Sequence, residues 1–391
     1  MSFGINLPPQ IKVFGAFFIY SFCMGSLYPR LPAIQSFMGV GEGALGLSLV
    51  GAALGTLISL TFAGPIIERI GYRRTLLAAL PLLSVLYAIA VWAPTPLTFF
   101  LLLMPVGITI GCIELIINLE ADRVEHAIGR RIMNRAHAFW SFGFFSAGMV
   151  GSFVAQAGIS PQVHLAIMIP VITVATLVFL GRFQPAEHRA GGSTDASPRF
   201  ARPTLSIMVL VLVCLPAMIL EGAGIDWSAI YMRDIFSAAP FWAGFAVALG
   251  AGAQAVTRFF ADSFVERWSP VVVARGLLTI LGIGTVLVFF APLQWLAYVG
   301  LALIGVGTSA LFPLAMSAAA QRTDRPAAVN VASLAQISFV SFLLGPPLLG
   351  YVAEHFGIRW AFGIGIPLVI LGLIFADALG PRRKAKTVAA E

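Results

Sequence analysis

Twelve apolar runs alternate with short polar breaks along this chain, each run near the ~20 residues that cross a bilayer as a helix. They fall near 11–30, 43–66, 74–93, 97–121, 134–157, 161–182, 205–231, 241–264, 270–290, 293–319, 329–353 and 359–379. Hydrocarbon offers no partner for a free N–H or C=O, so segments of this length close their hydrogen bonds internally as helices. The composition agrees: 59% of the 391 residues are hydrophobic and only 10% are charged, too few to cover a soluble surface. The expected fold is an all-α polytopic membrane protein with twelve transmembrane helices. Its first partner is the lipid bilayer.

Charge sets the expected orientation. Of the 24 Lys and Arg, only Arg30, Arg233 and Arg359 fall in loops on one side of this count; most of the others, with the basic tail, fall on the opposite side. Cytoplasmic loops carry the excess of cations, so both termini are expected in the cytoplasm. The net charge of +7 would suit a nucleic-acid partner, but the cations lie in separate short loops and not on one soluble face. The run after Lys12 leads into Pro29-Arg30-Leu31-Pro32 without a small-residue exit site and is kept as a first span. Cys23, Cys112 and Cys214 sit singly in apolar runs and read as core residues. The longest polar interval, Gln184 to Arg202, splits the spans six and six. The expected organisation is therefore a bundle at 1–183, a linker at 184–204, a second bundle at 205–380 and a tail at 381–391.

Between the second and third runs stands Gly64-Pro65-Ile66-Ile67-Glu68-Arg69-Ile70-Gly71-Tyr72-Arg73-Arg74. This resembles the loop signature of the major facilitator superfamily, a Gly-x-x-x-Asp-Arg-x-Gly-x-Arg-Arg pattern; Gly64, Arg69, Gly71, Arg73 and Arg74 fit it. Glu68 departs from the family's Asp, keeping the charge on a longer arm. The halves also echo each other. Phe62-Ala63-Gly64-Pro65-Ile66-Ile67-Glu68-Arg69 aligns with Phe260-Ala261-Asp262-Ser263-Phe264-Val265-Glu266-Arg267, and Gly345-Pro346-Pro347-Leu348-Leu349-Gly350 is similar to the Gly-Pro-rich helices packed near the family's centre. The resemblance implies two pseudo-symmetric six-helix bundles, a parallel repeat. Glu221 to Tyr231 and Arg258-Phe259-Phe260-Ala261-Asp262 are similar to the sugar-porter-like branch related to fucose-proton symporters and to rhizopine-associated membrane proteins.

Charges within spans cost roughly 2.5 to 3.5 kcal/mol on insertion scales, so each needs a reason. Glu114 stands alone in the fourth run with Asn118 one turn away, a carboxylate and an amide on one face, suited to a proton or a cationic solute; the alternative is a partner for an Arg from another span. Glu221 and Asp226 flank Gly222 and Gly224, where a bend is expected, and unwound backbone near a transporter's middle often lines its solute site. Asp226 is equally suited to a gate ion pair with Arg30 or Arg233. Arg258 and Asp262, four residues apart, are expected to pair along their helix as part of a cytoplasmic gate. His137 near the membrane surface reads more simply as interfacial than as a proton relay. Tyr20, Gln35, Gln156, Gln254, Asn330 and Gln336 are polar groups of which several must face a central cavity, and Trp140 and Trp227 suit stacking on a sugar ring. The expected gating set is Gly64, Glu68, Arg69, Gly71, Arg73, Arg74, Arg258, Asp262 and Arg30.

No nucleophile elbow, metal signature or ATP-binding segment is present in the sequence, and Gly305-Val306-Gly307 lacks the Lys and third Gly of a phosphate cradle. The expectation is a monomeric secondary transporter of the bacterial inner membrane, not an enzyme and without cofactors. It would move a small polar solute with protons by alternating access. The resemblance implies a sugar or cyclitol, with an amino-inositol such as rhizopine inside that class. The alternatives are proton-coupled efflux of drugs or amphiphilic metabolites and, further off, a solute receptor that does not transport.

Overall fold

The computed structural model describes residues 4–186 and 202–380. All regular structure among them is helical. The first half comprises α1 (Pro9–Gly25, continued by a tight turn at Tyr28–Arg30 and a helix at Leu31–Met38), α2 (Glu42–Phe62), α3 (Tyr72–Ala90), α4 (Pro96–Ile128), α5 (Met133–Gln156) and α6 (Pro161–Leu180). The second comprises α7 (Leu205–Asp226, continued at Ser228–Phe236), α8 (Pro240–Trp268), α9 (Pro270–Phe290), α10 (Gln294–Thr308, continued at Leu311–Ala320), α11 (Ala327–Phe356) and α12 (Trp360–Gly363 with Gly365–Phe375). Eleven of these paths are long and apolar enough to cross a membrane. The twelfth, α8, has the length at 29 residues but carries Gln254, Arg258, Glu266 and Arg267. Its polarity is what equips it to line the interior. The linker and tail expected at 184–204 and 381–391 lie mostly or wholly outside the described residues.

Helix ends follow local chemistry. Pro occupies the first turn of α1, α4, α6, α8 and α9, where its missing N–H costs nothing. Thr95, Ser160 and Thr204 cap α4, α6 and α7 with their hydroxyls. α4 runs to Ile128, beyond the expected end near 121, because Glu120 to Ile128 remain good helix formers after the membrane run ends.

The halves repeat in backbone detail. Phe62 aligns with Phe260, an offset of 198 residues, and the same offset relates the irregular turns. Gly39 (φ 65°, ψ 38°) corresponds to Ser237 (φ 50°, ψ 37°), and Gly71 (φ 93°, ψ 137°) corresponds to Ser269 (φ 83°, ψ 153°). The break in α1 at Tyr28–Arg30 corresponds to the break in α7 at Trp227. Shared sharp turns of this kind are hard to reach by chance, because left-handed backbone is costly for residues other than glycine.

Within each half, small residues set the helix spacing. A Cβ on Gly51, Gly55 or Gly107 would strike backbone at the α2/α4 crossing, and one on Gly284 or Gly300 would do so between α9 and α10. Such close approaches are how helices adhere where lipid removes the hydrophobic drive. The halves meet along two seams, α5 with α8 and α2 with α11.

Candidate functional site

The segments from 26 to 41 and from 227 to 239 lie at the arginine-poor end of the bundle, and there the halves are tied together. Arg233 donates to Pro32 O at 2.9 Å and to Gln35 Oε1 at 2.7 Å. Glu354 on α11 accepts from Gly43 N at 2.8 Å, capping the first turn of α2 across the seam. Gln156 on α5 accepts from Phe241 N at 3.1 Å. Backbones come close enough that a Cβ on Gly46 would overlap Pro346 O and one on Gly350 would meet Glu42 O. Gln35 and Gln156 therefore bind the seam and do not face a central cavity.

The opposite end looks different. Helix Gly64–Ile70 carries Glu68 and Arg69, which are exposed with Arg74 and engage no partner among the described residues. Arg73 donates to Gly181 O at 2.6 Å, inside its own half. Gly71 supplies the positive φ that turns this helix into α3. The stretch from Gly64 to Arg74 makes none of the named contacts between the halves.

Between the two ends lie the charged residues. On the first half, the Tyr20 hydroxyl of α1 donates to Glu114 Oε1 of α4 at 3.0 Å. Asn118 Nδ2 donates to the backbone carbonyl of Glu114 at 2.9 Å, so the expected amide next to the carboxylate is used by its own helix. No arginine pairs with Glu114 among the described residues. Nearby, His137 meets the ring of Phe17 edge-on at 5.2 Å.

On the second half, Arg258 forms a hub. Its guanidinium lies 3.5 Å from Glu221 Oε1, donates Nε to Ser309 O at 2.9 Å and donates Nη1 to Ser141 Oγ of α5 at 3.1 Å. The Ser309 carbonyl is free because its helical partner would be the N–H of residue 313, which is proline. α10 breaks there, at Ala310 (φ −128°, ψ −1°). Pro313 was the sequence signal for this acceptor, and Ser141, Thr308 and Glu354 had no signal of their own. Arg258 contacts Glu221 of α7; the side chain of Asp262, its expected partner, lies outside the described residues.

Beside this hub, Trp140, Phe144, Leu220, Glu221, Gln254 and Thr308 line a narrow cavity of about 30 Å³, bounded by α5, α7, α8 and α10. Trp140 stacks on Phe144 at 5.5 Å, and Gln254 Nε2 donates to Thr308 Oγ1 at 3.2 Å. Its walls are largely apolar, with Ile225, Val247, Leu301 and Ile304 among them.

Several expected site residues lie elsewhere. Trp227 is wholly buried with its ring against Gly350, so it packs α7 on α11 and offers no face to a solute. Asn330 donates to Asp324 Oδ1 at 2.9 Å, fastening the loop before α11. Asp226 is buried, but neither expected arginine reaches it: Arg30 donates to Gly151 O and Ile159 O, and Arg233 is held by Pro32, Gln35 and Asp234. A helix end's free carbonyls attract a guanidinium as well as a carboxylate does. Gln336 is half-buried on α11.

Residues 13–339 and 223–391 match the family model described as Major Facilitator Superfamily. An uncharacterized transporter of Sinorhizobium fredii is 30% identical over 363 residues, covering 92% of this chain and 94% of its own. Membrane protein MosC of Rhizobium meliloti is 23% identical, covering 93% and 87%. Among solved structures, a mutant of nucleoside transporter NupG superposes with a TM-score of 0.71 at 13% identity over 95% of this chain and 100% of its own. The fucose:proton symporter FucP of E. coli does so at 0.63 and 18% identity, covering 95% and 98%.

Proposed function

The chain belongs to the Major Facilitator Superfamily, a family of membrane transporters and not of enzymes, and from that premise we propose that it carries a small polar solute, a sugar or cyclitol, together with protons. On this reading the arginine-rich face is cytoplasmic, the membrane is the bacterial inner membrane, and the halves at 1–183 and 205–380 of a monomer rock against each other. On the same reading the state is closed to the outside, where Arg233, Glu354 and Gln156 bridge the halves, while Glu68, Arg69 and Arg74 at the other end bridge nothing among the described residues.

One observation carries the reading: a cavity at the joint of the halves puts an aromatic platform, Trp140 on Phe144, opposite Glu221, Gln254 and Thr308. Aromatic faces take the C–H faces of a polyol ring while convergent polar groups take its hydroxyls. The cavity is too narrow for a solute without side-chain movement. Nucleoside and fucose carriers among the structural neighbours agree with a polar cargo. Glu114 suits the proton: its donor is a neutral phenol, whereas Glu221 already faces a cation. Adding a proton to a carboxylate removes a charge, so the two packings of the halves are weighted differently. An amino-inositol such as rhizopine falls within the proposed class, with the cavity's carboxylate facing its amine.

Efflux of amphiphilic compounds is the second reading, favoured by the apolar walls at Leu220, Ile225, Val247 and Ile304. Flux into sealed proteoliposomes under an imposed proton gradient tests both. A narrow polyol profile, lost when Glu114 and Glu221 are both replaced by Gln, supports symport. A broad profile of hydrophobic cations moves the assignment to efflux, and equal flux by the double variant at every pH removes proton coupling through these carboxylates.

A further inference from the structure

The third cation of the arginine-poor end, Arg359, stands just before α12 and turns its guanidinium onto the end of α9. It donates Nη1 to Phe289 O at 2.8 Å and Nη2 to Ala291 O at 2.7 Å. Those carbonyls need donors, because a helix leaves its last ones free. They do not need a charge. At the equivalent corner of the first half, Val91 O, 198 residues before Phe289, takes its hydrogen bond at 3.1 Å from the neutral amide of Gln162 at the start of α6. Arg359 does the same with a cation that has further N–H donors to offer, and no carboxylate pairs with it among the described residues.

This surplus charge lines an open groove of about 470 Å³, walled by Ile235, Phe289, Phe290, Phe356 and Trp360. Trp360 meets Phe289 edge-on at 4.7 Å, and Phe290 and Phe356, at the ends of α9 and α11, are each 66% exposed. In a membrane protein, exposed aromatic rings at span ends lie at the level of the lipid headgroups. A guanidinium held among them calls for an anion. We propose that this groove binds the phosphodiester head of an anionic phospholipid from the leaflet at the arginine-poor end, with an acyl chain laid along Phe290, Phe356 and Trp360.

Each part of such a lipid meets its complement. The N–H groups that Arg359 does not turn onto α9 suit phosphate oxygens, which accept charge-assisted hydrogen bonds from a guanidinium. A soluble anion would leave the exposed rings in water, whereas an acyl chain covers them. The walls contain no carboxylate, so the ammonium of a zwitterionic lipid finds no partner there and a net negative head is preferred. The inference rests on the chain's place in a membrane and not on the cargo or the protons proposed above.

Trp360 reports on the groove directly. The full chain is reconstituted in phosphatidylcholine vesicles carrying increasing amounts of phosphatidylglycerol with brominated acyl chains, and brominated phosphatidylcholine serves as the reference. Each protein is measured with and without Trp360→Phe, so that the difference in fluorescence quenching isolates this ring. Phosphatidylglycerol should associate about fivefold more strongly than phosphatidylcholine, as one cation near a membrane surface provides. In Arg359→Gln, which keeps an amide for the α9 carbonyls as Gln162 does for α3, the ratio should fall to about one, and in Arg359→Lys it should stay near the parent's. A ratio near one in the parent overturns the proposal, as does a parent-like ratio in Arg359→Gln. Loss of the preference when inorganic phosphate is added at matched ionic strength also overturns it, by making this a soluble-anion site. Should Arg359→Gln not reconstitute, a salt series on the parent decides: a preference that survives ~1 M salt is not electrostatic and overturns the proposal. The assay requires no transport, so the cargo and coupling readings stand or fall by their own test.

Discussion

The two halves share a scaffold and differ in their chemistry. Their turns superimpose residue for residue at Gly39 and Ser237 and at Gly71 and Ser269, yet the first half holds Glu114 against a neutral phenol and the second holds Glu221 against Arg258. The repeat therefore supplies the hinge geometry, and side chains that do not repeat supply the site. A carboxylate held by a phenol can gain or lose a proton with little rearrangement. One facing a guanidinium is bound to its partner, because removing either group strands the other charge.

If that contrast is right, Glu114→Gln has the largest effect. Proton-driven accumulation should fall by about 100-fold, and by about tenfold in Tyr20→Phe, which removes one hydrogen bond to a charged group. Vesicle uptake with and without a gradient measures this, and equal losses in both conditions would mean that Glu114 serves binding and not coupling.

Arg258→Gln comes next. It leaves Glu221 without its cation and should lower stability by about 2 kcal/mol, with most of the loss recovered when Glu221→Gln is added. A double-mutant cycle on thermal unfolding decides; additive losses would dissolve the pair.

The turns provide a smaller and cleaner comparison. Ser269 holds φ 83°, ψ 153°, a region kept almost entirely to glycine, so Ser269→Gly should stabilise by about 1 kcal/mol and Gly71→Ser should destabilise by a similar amount. Opposite signs at equivalent positions would confirm that the two turns are one device. Equal signs would break the equivalence.

The smallest effect belongs to a loop of the second half. Hydrogen bonds from Asn330, and then from Ser206, hold the Asp324 carboxyl below its ordinary range. A carboxyl lowered on folding adds stability that is fully present above its unfolded value, near about 4, and is lost as pH falls through the folded one. Asn330→Ala should therefore lower Tm slightly at neutral pH and leave the strongly acid end nearly unchanged, flattening the acid side of the Tm-against-pH curve. A drop of the same size at every pH would make the Asn330 contact purely structural.

Hydropathy made the twelve helices and their loops legible, because each span must satisfy its own backbone in lipid and so declares itself locally. The family followed from Gly64 to Arg74, and the repeat from Phe62 and Phe260. Glu114, Glu221 and Arg258 were legible as costly charges, since polarity inside an apolar run needs no partner to be noticed. Partnership was another matter. Asp226 was expected to find Arg30 or Arg233, yet both arginines took carbonyls; Trp227 was expected to meet a solute and packs against Gly350; Arg258 bridges to Glu221 and Ser141 across helices far apart in the chain. Burial, spans and turns arise from interactions within a few residues, which the sequence alone determines. Which side chain meets which across the two seams depends on helix rotation and on glycine-set spacing, and only the assembled tertiary structure decides that.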